Sequence, residues 1–210
     1  MNDLKRTLRE ILIGRQPILD LHHELIGYEL LFRTPDCAES SRASCGRTAA
    51  TAGVVCSVFA ELGIGSALGA HKAFINTDEV FVLDDALELL PPQTVVLELD
   101  FTAQPSEALL ARCRTLRDRG YTLALSRYTG LDNRASALLP LVGIVKIDVI
   151  AAGDALPALA GALTRLPLKL LAEKVETREQ MAHCKSLGFH FFQGYYFAKP
   201  TLVSGRQLSA

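Results

Sequence analysis

The sequence of 210 residues contains no tryptophan, and its charges almost cancel. It has 22 Lys+Arg against 23 Asp+Glu, a formal net charge of −1, so it lacks a general attraction to nucleic acid or to an anionic membrane surface. Charged residues interrupt every apolar stretch before the ~18 residues that a membrane-spanning helix needs. The first ten residues alternate charges of both signs, unlike a secretory signal. We therefore expect neither a nucleic-acid-binding nor a membrane protein.

Cysteine is scarce, and its spacing is uninformative for metal or disulfide chemistry. The five cysteines are an odd number, are widely spaced and form no CxxC pair. This pattern is typical of reduced thiols and predicts a cytoplasmic protein. The 49% apolar content and 21% charge exclude a disordered or fibrous chain, and the length favours one domain.

Strand-like and helix-like segments alternate along the chain. Ile11–Leu21 and Leu25–Phe32 are apolar runs around a short polar turn, which predicts an antiparallel hairpin. Six further strands are predicted at Ala73–Asn76, Val95–Asp100, Tyr121–Ser126, Ile144–Val149, Leu168–Glu173 and His190–Phe192. Helices are predicted at Thr48–Leu62, Asp84–Leu90, Ser106–Arg119, Arg134–Leu139, Asp154–Leu163 and Thr177–Leu187, with a loop over Thr34–Cys45. This rhythm predicts an α/β fold with parallel pairing and a closed barrel.

Polar residues recur at the carboxyl ends of the predicted strands, where an α/β barrel places its chemistry. Glu29 also lies inside an otherwise apolar strand, where a charge is costly unless it is paired or liganded. Each residue alone is compatible with an ordinary solvated strand end. Together they predict a carboxylate-rich mouth suited to a metal ion, formed by Glu29, Asn76, Glu98, Lys146 and Glu173.

Seven short segments follow one another along the chain as recognisable motifs. They are Gly14–Ile18, Gly27–Arg33, Phe74–Asn76, Leu97–Asp100, Val145–Asp148, Ala172–Thr177 and Phe192–Pro200. In that order they resemble the EAL domain family, the phosphodiesterases that open the bacterial messenger cyclic di-GMP. Leu30 stands where the family usually has alanine, and Lys174 stands where it has glycine. The resemblance implies a TIM-like (β/α) barrel with one antiparallel strand over residues 1–203.

The motif style further resembles a branch in which a degenerate EAL domain precedes an HDOD domain. We therefore predict that residues 204–210 form a C-terminal tail and the start of a missing HDOD domain. A naturally short chain is the alternative.

One segment departs from the family pattern. Active members carry two adjacent aspartates that hold two divalent ions, whereas this chain has Ser126 and Arg127. Serine is a poor ligand for a hard cation, and arginine is a fixed positive charge. If Arg127 reaches into the mouth it pairs with Glu98 or Glu29 and takes the electrostatic place of the metal; a side chain turned to solvent is the alternative. We predict no turnover and no metal cofactor. Mg or Mn enters only if a residual enzyme holds one ion on Glu29, Asn76 and Glu98.

Ligand-binding candidates are also carried by the resemblance. In family members that bind the dinucleotide, the arginine after the signature strand contacts a phosphate, which points to Arg33, with Gln16 in the neighbouring segment and Gln193 in the closing motif. Pairing of Arg33 with Asp36 at the barrel rim is the alternative.

Three functions follow from these observations. The first expectation is a catalytically inactive regulatory or scaffold module that binds a protein partner or an HDOD domain. The alternative is a cyclic di-GMP sensor without turnover. The most distant reading is a residual phosphodiesterase, in which Lys146 positions water and Glu173 supports it, over a vestigial site completed by Glu29, Asn76, Glu98, Ser126, Arg127 and Glu176. Homodimer formation is left open.

Overall fold

The computed structural model describes residues 12–33, 55, 59, 68–100, 104–130 and 133–203. Within these ranges the strands are β1 (Leu12–Asp20), β2 (Leu25–Arg33), β3 (Lys72–Thr77), β4 (Val95–Leu99), β5 (Thr122–Leu125), β6 (Ile144–Asp148), β7 (Lys169–Glu173), β8 (Phe191–Phe192) and β9 (Thr201–Val203). The α-helices are α1 (Glu79–Leu83), α2 (Glu107–Asp118), α3 (Val149–Ala152), α4 (Leu156–Leu163) and α5 (Arg178–Ser186). Shorter 3-10 segments cover Asp85–Leu89, Asn133–Leu141 and Gly153–Ala155.

Strands β1 to β8 close into a barrel. Each strand from β2 to β7 pairs in parallel with the next, while β1 pairs antiparallel with both β2 and β8 and so closes the ring. Strand β9 pairs antiparallel with the first part of β1. The predicted TIM-like (β/α) barrel with one antiparallel strand is confirmed.

The barrel interior is built in layers, because side chains two residues apart on a strand face the same side. The lower layer is apolar and consists of Ile18, Phe74, Val96, Ala124, Ile144 and Leu171. A second and larger apolar cluster lies between the strands and the helices that pack around them. The lower layer fills one end of the barrel interior with apolar side chains, so the polar side chains that can bind a ligand lie in the layer above it.

Helix starts are fixed by side chains that accept hydrogen bonds from unpaired backbone N–H groups. Ser106 Oγ accepts from Leu109 N at 3.1 Å and begins α2. Thr177 and Gln180 form a reciprocal capping box at α5, as the sequence predicted. The carboxyl ends of β2–β8 form one end of the barrel, which we call the mouth. These caps fix where each helix begins after its loop at the mouth.

Several boundaries differ from the sequence-based expectation. The predicted helix Asp154–Leu163 is split, since Gly153–Ala155 is 3-10 and α4 begins at Leu156 with Pro157 in its first turn. Helix α1 and strand β9 were missed because each is very short. The predicted helix Thr48–Leu62 and loop Thr34–Cys45 lie outside the described residues, apart from Val55 and Phe59, which are helical.

In the part of the chain that the structure covers, no helix is both long and apolar enough to cross a membrane.

Candidate functional site

A polar layer lies one step of two residues above the apolar floor, toward the mouth. The alternation of each strand places these side chains inside the barrel next to one another, one on each of the eight barrel strands or at its end. The layer consists of Gln16, Glu29, Asn76, Glu98, Ser126, Lys146, Glu173 and Gln193. The predicted clustering of polar strand-end residues is therefore what the fold produces.

Lys146 is the centre of this layer. Its ammonium Nζ lies 2.6 Å from Glu98 Oε1, 3.1 Å from Glu29 Oε2 and 3.1 Å from Glu173 Oε1. Lys146 and Glu98 are fully buried, and the other two carboxylates are mostly so. A buried ammonium is tolerated because it pairs with several carboxylates at once, whereas an unpaired one would be expelled or neutralised.

Amide side chains complete the shell around Glu29. Asn76 Nδ2 donates to Glu29 Oε1 at 2.9 Å, and Gln193 Nε2 donates to Glu29 Oε2 at 2.7 Å. Gln193 Nε2 also lies 3.1 Å from Gln16 Oε1, and Gln16 Nε2 donates to the carbonyl of Ala198. The network therefore holds the Glu29 carboxylate from two sides, through Asn76 on β3 and through Gln193 after β8.

The four charged groups have different proton affinities. Burial, followed by repulsion from Glu29, raises the pKa of Glu98 to about 8 despite the attraction of Lys146. Burial also raises the pKa of Glu173. For Glu29 the burial effect is outweighed by Lys146 and by hydrogen bonds from Gln193 and Asn76, so its pKa is lowered. The three carboxylates raise the pKa of Lys146 well above its ordinary value, although burial alone would lower it. At neutral pH the cluster therefore holds a charged Lys146 and a protonated Glu98.

The structure corrects the prediction for Arg127. Its guanidinium does not pair with Glu98 or Glu29; Nε and Nη2 both donate to Asp100, at the end of β4. The cation that contacts the two glutamates is Lys146. Ser126 is buried at the end of β5, where its backbone N–H donates to the carbonyl of Leu99. The expected displacement of a metal by Arg127 inside the glutamate cluster was wrong because the left-handed backbone of Arg127 (φ 53°) accompanies a side chain turned to Asp100.

The three residues predicted to hold a single divalent ion, Glu29, Asn76 and Glu98, lie together in the polar layer. Glu98 Oε2 is buried without a hydrogen-bond partner among the described residues, and Glu29 and the amide of Asn76 offer further oxygens nearby. No three His, Cys, Asp or Glu side chains in the described ranges form a group that could hold a metal, so such a site depends on the Asn76 amide. Ser126 and Arg127 follow β5 at the mouth, and neither side chain offers a carboxylate.

The remaining predicted residues separate into three groups. Gln16 and Gln193 lie together in the polar layer. Glu176 is exposed beyond β7, and its backbone N–H donates to Gln180, so it is not part of the layer. Arg33 ends β2, paired in register with Leu12, but its side chain lies outside the described residues, as does Asp36.

Two ion pairs at the mouth were missed by sequence reasoning. Lys174 Nζ lies 2.5 Å from Asp148 Oδ2, and Arg127 pairs with Asp100. The sequence held a signal for the first pair, because Lys174 replaces a glycine of the family motif. It held none for the second, since strand register decides which aspartate lies beside Arg127.

Comparison with known proteins identifies the family. The model of the EAL domain matches residues 76–200. Cyclic di-GMP phosphodiesterase CdgJ of Vibrio cholerae is 32% identical over 212 residues, covering 97% of this chain and 47% of that protein. The chain spans about half the length of the curated relatives it matches.

Solved structures share the fold. The Bacillus subtilis YkuI protein, with an EAL domain and in complex with c-di-GMP and calcium, superposes with a TM-score of 0.73 at 20% identity, covering 99% of this chain and 58% of that one. Klebsiella pneumoniae BlrP1, in a manganese and c-di-GMP complex, gives a TM-score of 0.72 at 22% identity, covering 91% and 56%. With a matching family model over more than half its length and the glutamate, asparagine and lysine of the motifs assembled in one barrel mouth, this chain belongs to the EAL domain family.

Proposed function

We propose that this domain binds cyclic di-GMP at the mouth of the barrel and releases it without hydrolysis. The observation that carries the proposal is a polar layer with unused hydrogen-bonding capacity. Gln193 Oε1 and Glu98 Oε2 are buried and have no hydrogen-bond partner among the described residues. Buried polar atoms are rarely left without a partner, so this layer is suited to a ligand that donates to Gln193 Oε1 and accepts from the protonated Glu98. The N–H and carbonyl groups of guanine and the ribose hydroxyls of a cyclic dinucleotide provide both kinds of group.

The relatives support this ligand. A protein 32% identical over nearly the whole chain is named a cyclic di-GMP phosphodiesterase, and structures with the same fold contain c-di-GMP. The expectation that the domain acts mainly as an inactive scaffold for a protein partner is overturned by the same findings, and it was wrong. A ligand site accounts for a retained polar layer, whereas a scaffold needs only the outer surface of the barrel.

Binding without hydrolysis rests on Ser126 and Arg127. Two-metal hydrolysis needs a pair of ions ~3.5–4 Å apart, one to activate water and one to stabilise the leaving oxygen. The residues fit one such ion, on Glu29, Asn76 and Glu98, and Arg127 adds a fixed positive charge where the second carboxylate would be. A divalent ion, when bound there, supplies charge neutralisation for a phosphate.

Hydrolysis is the second candidate function. The name of the Vibrio cholerae relative favours it, as does the retention of Glu29, Asn76, Glu98, Lys146 and Glu173 in one cluster.

The association with an HDOD domain and the formation of a homodimer stay predictions. The activity of a longer protein that contains this domain is a proposal as well.

Isothermal titration calorimetry with cyclic di-GMP tests the proposal, in magnesium buffer and in EDTA, with chromatography of the nucleotide after each titration. We expect saturable binding with the nucleotide recovered intact. Gln193→Ala should weaken binding at least ~10-fold, because it removes donors to Glu29 and Gln16 and an acceptor for the ligand. Gln93→Ala, at an exposed site before β4 on the opposite end of the barrel, is the matched control.

Two outcomes contradict the proposal. If no heat is released or absorbed at high micromolar cyclic di-GMP in either buffer, the domain does not bind this ligand. If the linear dinucleotide is recovered after the titration, the domain hydrolyses its ligand and the proposal of binding without turnover is wrong.

A further inference from the structure

Two cations at the mouth have a backbone conformation that non-glycine residues rarely adopt. Among the described residues only His23, Arg127 and Lys174 are non-glycine residues with positive φ. His23 lies in the turn between β1 and β2, at the far end of the barrel. Arg127 (φ 53°) and Lys174 (φ 57°) instead lie on the loops that follow β5 and β7. Strained residues of this kind collect where function requires the side chain.

Glycine would relieve this strain at either position, and at Lys174 glycine is the residue of the family motif that this chain resembles. The chain thus keeps a long cationic side chain where a smaller residue would be more stable. Its structural contact, an ion pair with Asp148 at the end of β6, is exposed and lies outside the core, so it contributes too little to stability to account for this choice.

Each of these cations is held by a carboxylate at the end of an adjacent strand. Arg127 pairs with Asp100 after β4, and Lys174 pairs with Asp148 at the end of β6. The side chains of Arg127 and Lys174 are 40% and 64% exposed, respectively. Ion pairs with this exposure contribute little to stability, so either cation can be shared with an incoming anion at small cost.

The two loops flank β6, whose Lys146 holds the buried carboxylates. Neighbouring strands are ~4.8 Å apart, which separates the loops after β5 and β7 by roughly 10 Å across the mouth. A cyclic dinucleotide carries two phosphodiester groups, each with one negative charge. The ends of β5 and β7 therefore present one accessible cation on each side of the site that we propose for the ligand.

We propose that Arg127 and Lys174 are phosphate-binding residues, which take up the two phosphodiester groups of a cyclic dinucleotide and supply the positive charge that divalent ions would otherwise provide. Guanidinium is suited to bidentate contact with a phosphate, and the lysine ammonium acts as a point charge. The consequence is that binding does not depend on a divalent cation. This inference rests on the proposed function.

Calorimetry with cyclic di-GMP on the wild type and on the variants Arg127→Gly, Lys174→Gly and the double variant tests this role. We expect the wild type to bind with the same affinity in EDTA and in magnesium, within ~3-fold. In EDTA each single variant should bind at least ~10-fold more weakly and the double variant at least ~100-fold. Arg165→Ala and Lys185→Ala remove exposed cations away from the mouth and should bind like the wild type.

Thermal denaturation separates this role from a structural one. Since glycine adopts the left-handed backbone without strain, Lys174→Gly should unfold at the same temperature as the wild type or higher, while its affinity falls. Magnesium-dependent binding by the wild type, or unchanged affinity of the double variant, would overturn the inference and leave the proposed function intact. Absence of wild-type binding in both buffers would instead remove the proposed function, and this inference with it.

Discussion

Lys146 Nζ lies 2.6 Å from Glu98 Oε1, and both side chains are fully buried inside the barrel. The second oxygen of Glu98 has no hydrogen-bond partner among the described residues. Burial and the neighbouring Glu29 raise the pKa of Glu98 to about 8, so at neutral pH the pair consists of an ammonium and a carboxylic acid. The pair thus places one positive charge and one titratable proton at the centre of the mouth. We expect it to determine how the free energy of unfolding changes with mutation of either residue and with pH.

Replacement of Lys146 by methionine should strongly destabilise the domain. It leaves Glu29, Glu98 and Glu173 without the cation that they surround. Breaking a buried ion pair from one side costs about 3–5 kcal/mol, which urea denaturation measures directly. Lys185→Met, on the exposed face of α5, is the matched control and should change the free energy of unfolding by less than ~0.5 kcal/mol. Equal stabilities of the two variants would contradict the central role of Lys146.

Stability should fall with rising pH because of Glu98. Its pKa is raised from 4.5 to about 8, so the folded protein keeps a proton that the unfolded chain releases. The stability that this group contributes is fully present below about pH 4.5 and is lost as pH rises through about 8. Glu98→Gln keeps the shape and stays neutral, so its stability relative to the wild type should increase between about pH 6 and pH 9.

Urea denaturation of Glu98→Gln and wild type at matched pH values checks this, since all other titrating groups are common to both proteins. A difference in the free energy of unfolding that does not change with pH would show that Glu98 titrates near its ordinary value in the fold.

Restoring carboxylates after β5 should create hydrolysis. The double variant Ser126→Asp/Arg127→Asp supplies the two ligands that the family motif has and removes a fixed positive charge. A gain of ~3 kcal/mol in transition-state stabilisation corresponds to a rate at least ~100-fold above the wild type in magnesium. The measurement is chromatography of cyclic di-GMP and its linear product over time.

Asn76→Ala in the same double-variant background is the control, since it removes the amide oxygen proposed as a cation ligand and the hydrogen bond from Asn76 Nδ2 to Glu29. A restored variant that binds but does not cleave would show that the loss of turnover lies elsewhere in the mouth.

Gly194 is the position where a single methyl group should do most damage. A Cβ there would overlap the backbone of Val175, which accepts a hydrogen bond from Tyr196 N and donates one to Gln193 O. We expect Gly194→Ala to lower the free energy of unfolding by at least ~2 kcal/mol and to displace Gln193 from Glu29. Gly161→Ala in α4, where a Cβ meets open space, should instead stabilise the domain by ~0.5–1 kcal/mol. Thermal denaturation of both variants measures the contrast.

Much of the fold was predictable because the spacing of apolar residues along a strand or helix, and the residues that cap a helix, are local features of the sequence. The strand ends, the capping box at Thr177 and the antiparallel hairpin follow from residues within about ten positions of one another. Helix α1 and strand β9 were missed because five- and three-residue elements carry too little periodicity to be recognised, and tertiary pairing decides their conformation.

The amino-acid sequence by itself determined the barrel, the family and the set of polar residues at its mouth, because alternation along a strand and the order of motifs are properties of the chain. Only the tertiary structure decided how those residues pair. The register of β4, β5 and β6 brings Asp100 rather than Glu98 to Arg127 and gives the glutamates to Lys146. Contacts of this kind join residues 27 to 117 positions apart, so they depend on how strands are placed side by side and not on local sequence.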